Sequence, residues 1–136
     1  MIDKEIIRIA SNTENHGALA NHTHFSKLKN SICGDDMKIY LIVENNKITN
    51  FKYECESCIY CQASVSLLSR KAKNKLIEKV KNFAQQANGY FDKSANSFDK
   101  EWKEFDKIMT KNNISRKECL LLPINTMLDA LSKKSL

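Results

Sequence analysis

The stretch MKIYLIVENNKITNFKYE, residues 37–54, decides the fold. Met37, Ile39, Leu41 and Val43 alternate with other residues, and so do Thr49, Phe51 and Tyr53. A period of two places each set on one face of a β-strand. Asn45 and Asn46 lie between the runs, and asparagine tolerates the positive φ of a tight two-residue turn. The reading is a β-hairpin. With Asn45-Asn46 as the turn, paired residues have numbers that sum to 91. Met37 then faces Glu54, and by extrapolation Cys33 faces Cys58 at the open end.

The flanks complete an α+β pattern. Residues 2–10 carry Ile2, Ile6, Ile7 and Ala10 at helical spacing. Gly17 punctuates a polar stretch from Asn12 to Asn30, within which residues 24–31 are a candidate first strand. After the hairpin, helical stretches are expected over residues 59–71, 75–87 and 98–109. Leu76, Val80, Phe83 and Ala87 form one stripe, and Phe98, Trp102, Phe105 and Met109 form another. Ser115 with Glu118 fits a capping box that opens a helix near 116–121. Pro123 then starts a last helix, 123–133. The expectation is a small antiparallel sheet of about three strands with helices packed largely on one face. No repeat or boundary divides residues 1–136, so a single domain is expected.

Composition narrows the class. The chain has 136 residues, with three glycines and one proline, which disfavours a turn-rich all-β design. A formal charge of +6 would suit an acidic partner. The lysines are scattered, however, along solvated helix faces such as Lys71, Lys75 and Lys79, and no aromatic-plus-basic motif accompanies them. Nucleic acid is therefore not the expected partner. No apolar run approaches the ~18 residues of a membrane span, and the opening MIDKEIIR lacks a secretory apolar region. The expected location is the cytoplasm. Five cysteines in a reducing compartment point to metal or sulfur chemistry rather than disulfides.

The densest chemistry is Cys55-Glu56-Ser57-Cys58-Ile59-Tyr60-Cys61. Each C-x-x-C half has zinc-chelating spacing. A structural zinc module needs a second such pair, and only Cys33 and Cys119 remain. Cys58 is expected just ahead of a helix, where unpaired N–H groups and the helix dipole favour a thiolate. Cys55 and Cys61 read as small core residues, as auxiliary ligands or as a sulfur relay. His22 and His24 form an H-x-H pair with no other ligand motif near it, and His16 reads as a loop residue.

Cys33-Gly34-Asp35 ahead of a hairpin, Cys58 followed by Ala63-Ser64-Val65-Ser66, and Arg116-Lys117-Glu118-Cys119 near the end form an ordered series. In these motifs the chain resembles the U-type iron–sulfur scaffold family (NifU N-terminal domain, IscU, SufU), whose pattern has C-G-D, then G-C-x-I-S-x-A-S-x-S, then a third cysteine. Residues 12–17, NTENHG, are similar to the family's N-P-R-N-x-G. The long interval between Cys58 and Cys119, and Arg116 three residues before Cys119, resemble SufU most. Departures are Thr13 and Glu14 for Pro and Arg, Cys55 and Ser57 for glycines, Cys61 for serine, and Glu118 for Lys or His.

The resemblance implies an IscU/SufU-like fold. It implies an assembly scaffold or carrier that binds iron or a nascent iron–sulfur cluster through Cys33, Asp35, Cys58 and Cys119. A cysteine desulfurase would supply sulfur, and apoproteins would receive the cluster. Asp35, a harder ligand than sulfur, would keep the cluster labile. An alternative is a zinc-dependent sulfurtransferase of SufU type, with Cys119 accepting persulfide sulfur and Arg116 assisting ligand exchange. A further alternative is a binding module with structural zinc.

Overall fold

A computed structural model describes residues 3–30, 34–92 and 97–133. Helix α1 spans Lys4–Ala10 and is capped by Asp3, whose carboxylate accepts the Glu5 N–H at 2.9 Å. Strands β1 (His24–Asn30), β2 (Asp35–Glu44) and β3 (Lys47–Glu56) follow, then helices α2 (Ile59–Ala72) and α3 (Ile77–Gly89). Two 3₁₀ segments, Lys100–Lys107 and Lys111–Arg116, lead into α4 (Lys117–Ser132). The strands form one antiparallel sheet in the order β1-β2-β3.

Met37, Ile39, Leu41, Phe51 and Tyr53 on the inner face are buried against α2 and α4, and α1 packs on α2. The outer face carries Lys27, Lys38, Tyr40, Lys52 and Glu54, all partly or fully exposed. The α+β arrangement with helices on one face is the expected one. Residues 12–17 run along the free edge of β3. There Tyr53 N–H donates to the Asn15 carbonyl at 3.2 Å, and Gly17 N–H donates to the Tyr53 carbonyl at 2.8 Å. An open strand edge is a site of unwanted pairing, and this loop covers part of it.

The hairpin turn has the expected geometry, with φ of 52° at Asn45 and 63° at Asn46. The register corrects the sequence reading. Pairs beside the turn sum to 91, but beyond Ile42/Val43 they sum to 92, so Met37 faces Cys55 rather than Glu54. Thr49 is the extra residue of this bulge. Its hydroxyl donates to the Ile42 carbonyl at 3.2 Å, while Ile48 and Phe51 on either side are both fully buried. The core face therefore contains Ile48, Phe51 and Tyr53, and Thr49 is only half-buried. The pairing expected for Cys33 lies outside the described residues.

Helix α2 is central, with nine buried residues that include Ser64, Ser66 and Ser69. Each buried hydroxyl has an acceptor, as burial requires. Ser64 donates to the Leu120 carbonyl at 2.6 Å, Ser66 to the Asn12 carbonyl at 2.6 Å and Ser69 to the Ser66 carbonyl at 2.7 Å. Two of these bonds tie α2 to α4 and to the loop ahead of the sheet.

Three helical expectations change. Leu76 precedes α3 and is exposed rather than part of its buried stripe. The stretch expected as a helix over 98–109 is 3₁₀ between Lys100 and Lys107. A 3₁₀ turn eclipses residues three apart, which brings Trp102 and Phe105 to one side. Trp102 stacks on Phe83 at 4.1 Å and Phe105 meets the same ring at 4.7 Å. Finally, α4 runs unbroken through Pro123, so one helix replaces the two expected. Leu120, Leu121 and Leu122 before the proline and Ile124 and Met127 after it continue one buried face, and that burial outweighs the breaker. Ser115 lies in the 3₁₀ segment and caps nothing; Arg116 is the N-cap residue.

Candidate metal centre

Three elements bring one donor each to a common point. Asp35 opens β2, placed there by the turn at Gly34. Gly34 has φ of +73°, a conformation that glycine adopts at low cost, and its N–H donates to the Asn30 carbonyl at 2.7 Å. Cys58 is the N-cap of α2, with extended φ and ψ of −70° and 166°. Cys119 lies in the first turn of α4. One carboxylate oxygen of Asp35 and the sulfurs of Cys58 and Cys119 all lie within 4.8 Å of one another.

Asp35 is 3% exposed and Cys119 1%, while Cys58 is half-buried. Asp35 Oδ1 accepts the Cys58 N–H at 3.0 Å, which fixes the start of α2 against the start of β2. Asp35 Oδ2 is buried without a hydrogen-bond partner among the described residues. Asn30 Nδ2 is 4.0 Å from Cys119 Sγ. The Arg116 guanidinium stands 5.2 Å from the centre of the Tyr60 ring. Desolvation lowers its affinity for the proton, but the nearby Cys58 and Cys119 thiolates outweigh this and raise it.

This donor set suits a thiophilic ion. Two sulfurs and a carboxylate match zinc or iron chemistry. A tetrahedral ion with bonds of roughly 2.0–2.3 Å spaces its ligands by about 3.3–3.8 Å, so donors within 4.8 Å of one another are at most about 1.5 Å wider than such a set. The leftover Asp35 oxygen has its need met by such an ion.

Cys33, the remaining residue of the expected set, lies outside the described residues. Cys55 and Cys61 are outside the group formed by Asp35, Cys58 and Cys119. Burial pushes the Cys55 thiol up, with the nearby Ser57 hydroxyl offsetting part. Burial pushes the Cys61 thiol far above its ordinary value. A cleft of about 280 Å³ opens beside Cys55 and is lined also by His16, Asp36 and Glu54. His22 and His24 do not join a metal-binding group among the described residues. The His22 ring packs on Phe25 and Tyr40, and the His24 ring meets the Thr23 hydroxyl at 2.8 Å. Asn30 was not legible as part of the site. It ends β1 four residues before the C-G-D turn's glycine, and only the β1–β2 pairing brings it beside Asp35.

The sequence pattern of the family described as "NifU-like N terminal domain" matches residues 1–89. The chain belongs to this family. It is 28% identical over 137 residues to the iron–sulfur cluster assembly scaffold protein IscU of Thermotoga maritima, which covers 99% of this chain and 95% of that one. Its fold superimposes on a NifU-like N-terminal protein from Brucella abortus with a TM-score of 0.89 at 19% identity, over 96% of this chain and 91% of that one. A putative SUF-system scaffold (SufU) from Fervidobacterium islandicum AW-1 gives a TM-score of 0.83 at 24% identity, over 96% of both chains. At these identities the solved structures establish the shared fold.

Proposed function

We propose that this chain, working as one domain, is an iron–sulfur cluster assembly scaffold or carrier, with iron and sulfide as its cargo. The observation that carries the reading is the convergence of Asp35, Cys58 and Cys119, with a buried Asp35 oxygen left over for an ion. The IscU relative along nearly the whole length supports it. Cys33 completes the ligand set by resemblance. Sulfur comes from a cysteine desulfurase, Cys119 accepts it as a persulfide, and apoproteins receive the finished cluster. Arg116, which interacts with both Cys58 and Cys119, assists ligand exchange. Free thiols of this kind persist in a reducing compartment, which is the cytoplasm.

A second reading has its own observation. The donor atoms are spaced for one ion, as a zinc-dependent sulfurtransferase of SufU type would need. One experiment separates the two. Protein purified without oxygen is assayed for iron, zinc and acid-labile sulfide, then reconstituted with iron and sulfide. The scaffold reading expects a visible absorption spectrum that depends on Cys58 and Cys119; failure to form any cluster would end it. The sulfurtransferase reading expects one zinc and faster desulfurase turnover, and an unchanged turnover counts against it.

A further inference from the structure

Three residues after Cys58 lies a second thiol that the candidate metal centre does not use. Cys58 is the N-cap of α2, and Cys61 is the third residue of the helix. In a capping box the N-cap and third-position side chains each bond the other residue's backbone N–H, so the two residues are neighbours at a helix start; here each carries a thiol. On helical geometry their Cα atoms are about 5 Å apart, inside the roughly 4.4–6.8 Å range of disulfides. The Cys58 side chain makes no capping hydrogen bond that would hold it elsewhere. The other neighbour, Cys55, sits on β3 opposite Met37.

Exposure divides the pair. Cys58 is half-buried and reachable from outside, whereas Cys61 is fully buried. An incoming sulfur species therefore meets Cys58 first, and Cys61 reacts only with what Cys58 holds. The family pattern often has serine where Cys61 stands, and serine cannot form a disulfide. The pair is thus a property of this chain rather than of the ligand set.

We propose that Cys61 is a resolving thiol that converts sulfane sulfur on Cys58 into sulfide. The proposal rests on the sulfur-accepting reading above. Sulfane sulfur reaches Cys58 from a persulfide donor, or by exchange from Cys119, whose sulfur lies within 4.8 Å. The terminal sulfur of the bound persulfide takes the Cys61 proton, and the Cys61 thiolate so formed attacks the Cys58 sulfur. A Cys58–Cys61 bond forms, the bond to the terminal sulfur breaks with its electron pair, and the Cys61 proton leaves with it. Overall, two thiols and one sulfane sulfur give one disulfide and one hydrogen sulfide, with no outside reductant in that step. The disulfide withdraws Cys58 from the ligand set until a thiol reductant restores it, so sulfide release and cluster closure become successive events.

The test uses the full chain, metal-free, reduced and kept without oxygen. One equivalent of cysteine persulfide is added, released sulfide is measured, and the disulfide is located by peptide mass mapping. The expected result for the unaltered protein is about one sulfide per chain and a Cys58–Cys61 cross-link. Cys61→Ser should keep the persulfide and release at least ~10-fold less sulfide. Cys61→Ala should behave likewise. The cross-link is read on the unaltered protein, so a poorly folding variant does not remove the test. A disulfide mapped to Cys55–Cys58 or Cys58–Cys119, no sulfide release, or undiminished release by a folded Cys61→Ser protein would each overturn the proposal. Reconstitution with iron and free sulfide uses no sulfane sulfur. A cluster formed there alongside a failed persulfide arm rejects the dithiol and spares the scaffold.

Discussion

Asp35→Asn should push metal-free stability and metal affinity in opposite directions. In the protein without its ion, the Asp35 carboxylate is 3% exposed, with one oxygen bonded to Cys58 N–H at 3.0 Å and the other unpartnered. Burying a carboxylate costs several kcal/mol. The single charge-assisted bond returns about 1.5–3 kcal/mol, which leaves a deficit of roughly 1–2 kcal/mol. Asparagine keeps an acceptor for Cys58 N–H and removes the buried charge. The metal-free melting temperature should therefore rise by about 3–8 °C. Zinc affinity should fall at least ~30-fold, about 2 kcal/mol, because an anionic ligand is gone. Asp35→Ala also leaves Cys58 N–H without its acceptor, so its metal-free form should melt below that of Asp35→Asn. Calorimetry of metal-free protein and competition against a chromophoric chelator measure the two quantities. A fall in metal-free stability together with unchanged zinc affinity would refute the reasoning and make Asp35 a purely structural cap.

Chelating the metal should leave a cooperative thermal transition, because β2, α2 and α4 are joined through the core and not through the ion; a chain unfolded by chelator would favour a structural zinc module. Trp102→Ala removes the ring stacked on Phe83 at 4.1 Å and should cost about 3–5 kcal/mol, read as a lower midpoint in denaturant titration. Ser64→Ala breaks the buried bond to the Leu120 carbonyl and should cost about 1–3 kcal/mol in the same titration. The Ser26 hydroxyl, with Lys133, holds the Asp129 carboxyl below its usual value, against a smaller opposing effect of burial. A depressed folded value means stability that is present above the ordinary carboxylate range and lost as pH falls through the folded value. Ser26→Ala should move the Asp129 titration upward in carboxyl-resolved NMR and shrink the stability lost on acidification.

The local signals were all in the sequence. Alternation over 37–54 with Asn45-Asn46 at its centre named the hairpin, because side-chain direction in a strand depends only on neighbouring residues. The position of Cys58 at a helix start followed from the polar-to-helical switch at the end of the hairpin. Alternation did not show the bulge: it placed Thr49 with Phe51 and Tyr53, whereas Ile48 is buried and Thr49 is the residue looped out, because burying Ile48 beside the turn and Phe51 beyond it needs one extra residue between them.

Tertiary structure decided the rest. Pro123 and the Ser115–Glu118 spacing are local signals for two helices, yet the apolar face running from Leu120 to Met127 made one, since burial over several turns outweighs a single breaker. Residues 100–107 are 3₁₀, and their Trp102 and Phe105 pack on Phe83, a residue of another helix. The family motifs named Asp35, Cys58 and Cys119, but Cys119 lies 61 positions after Cys58 in the chain. No local rule sets a distance across such an interval; only the packing of α4 against α2 and the sheet brings the three donor atoms within 4.8 Å.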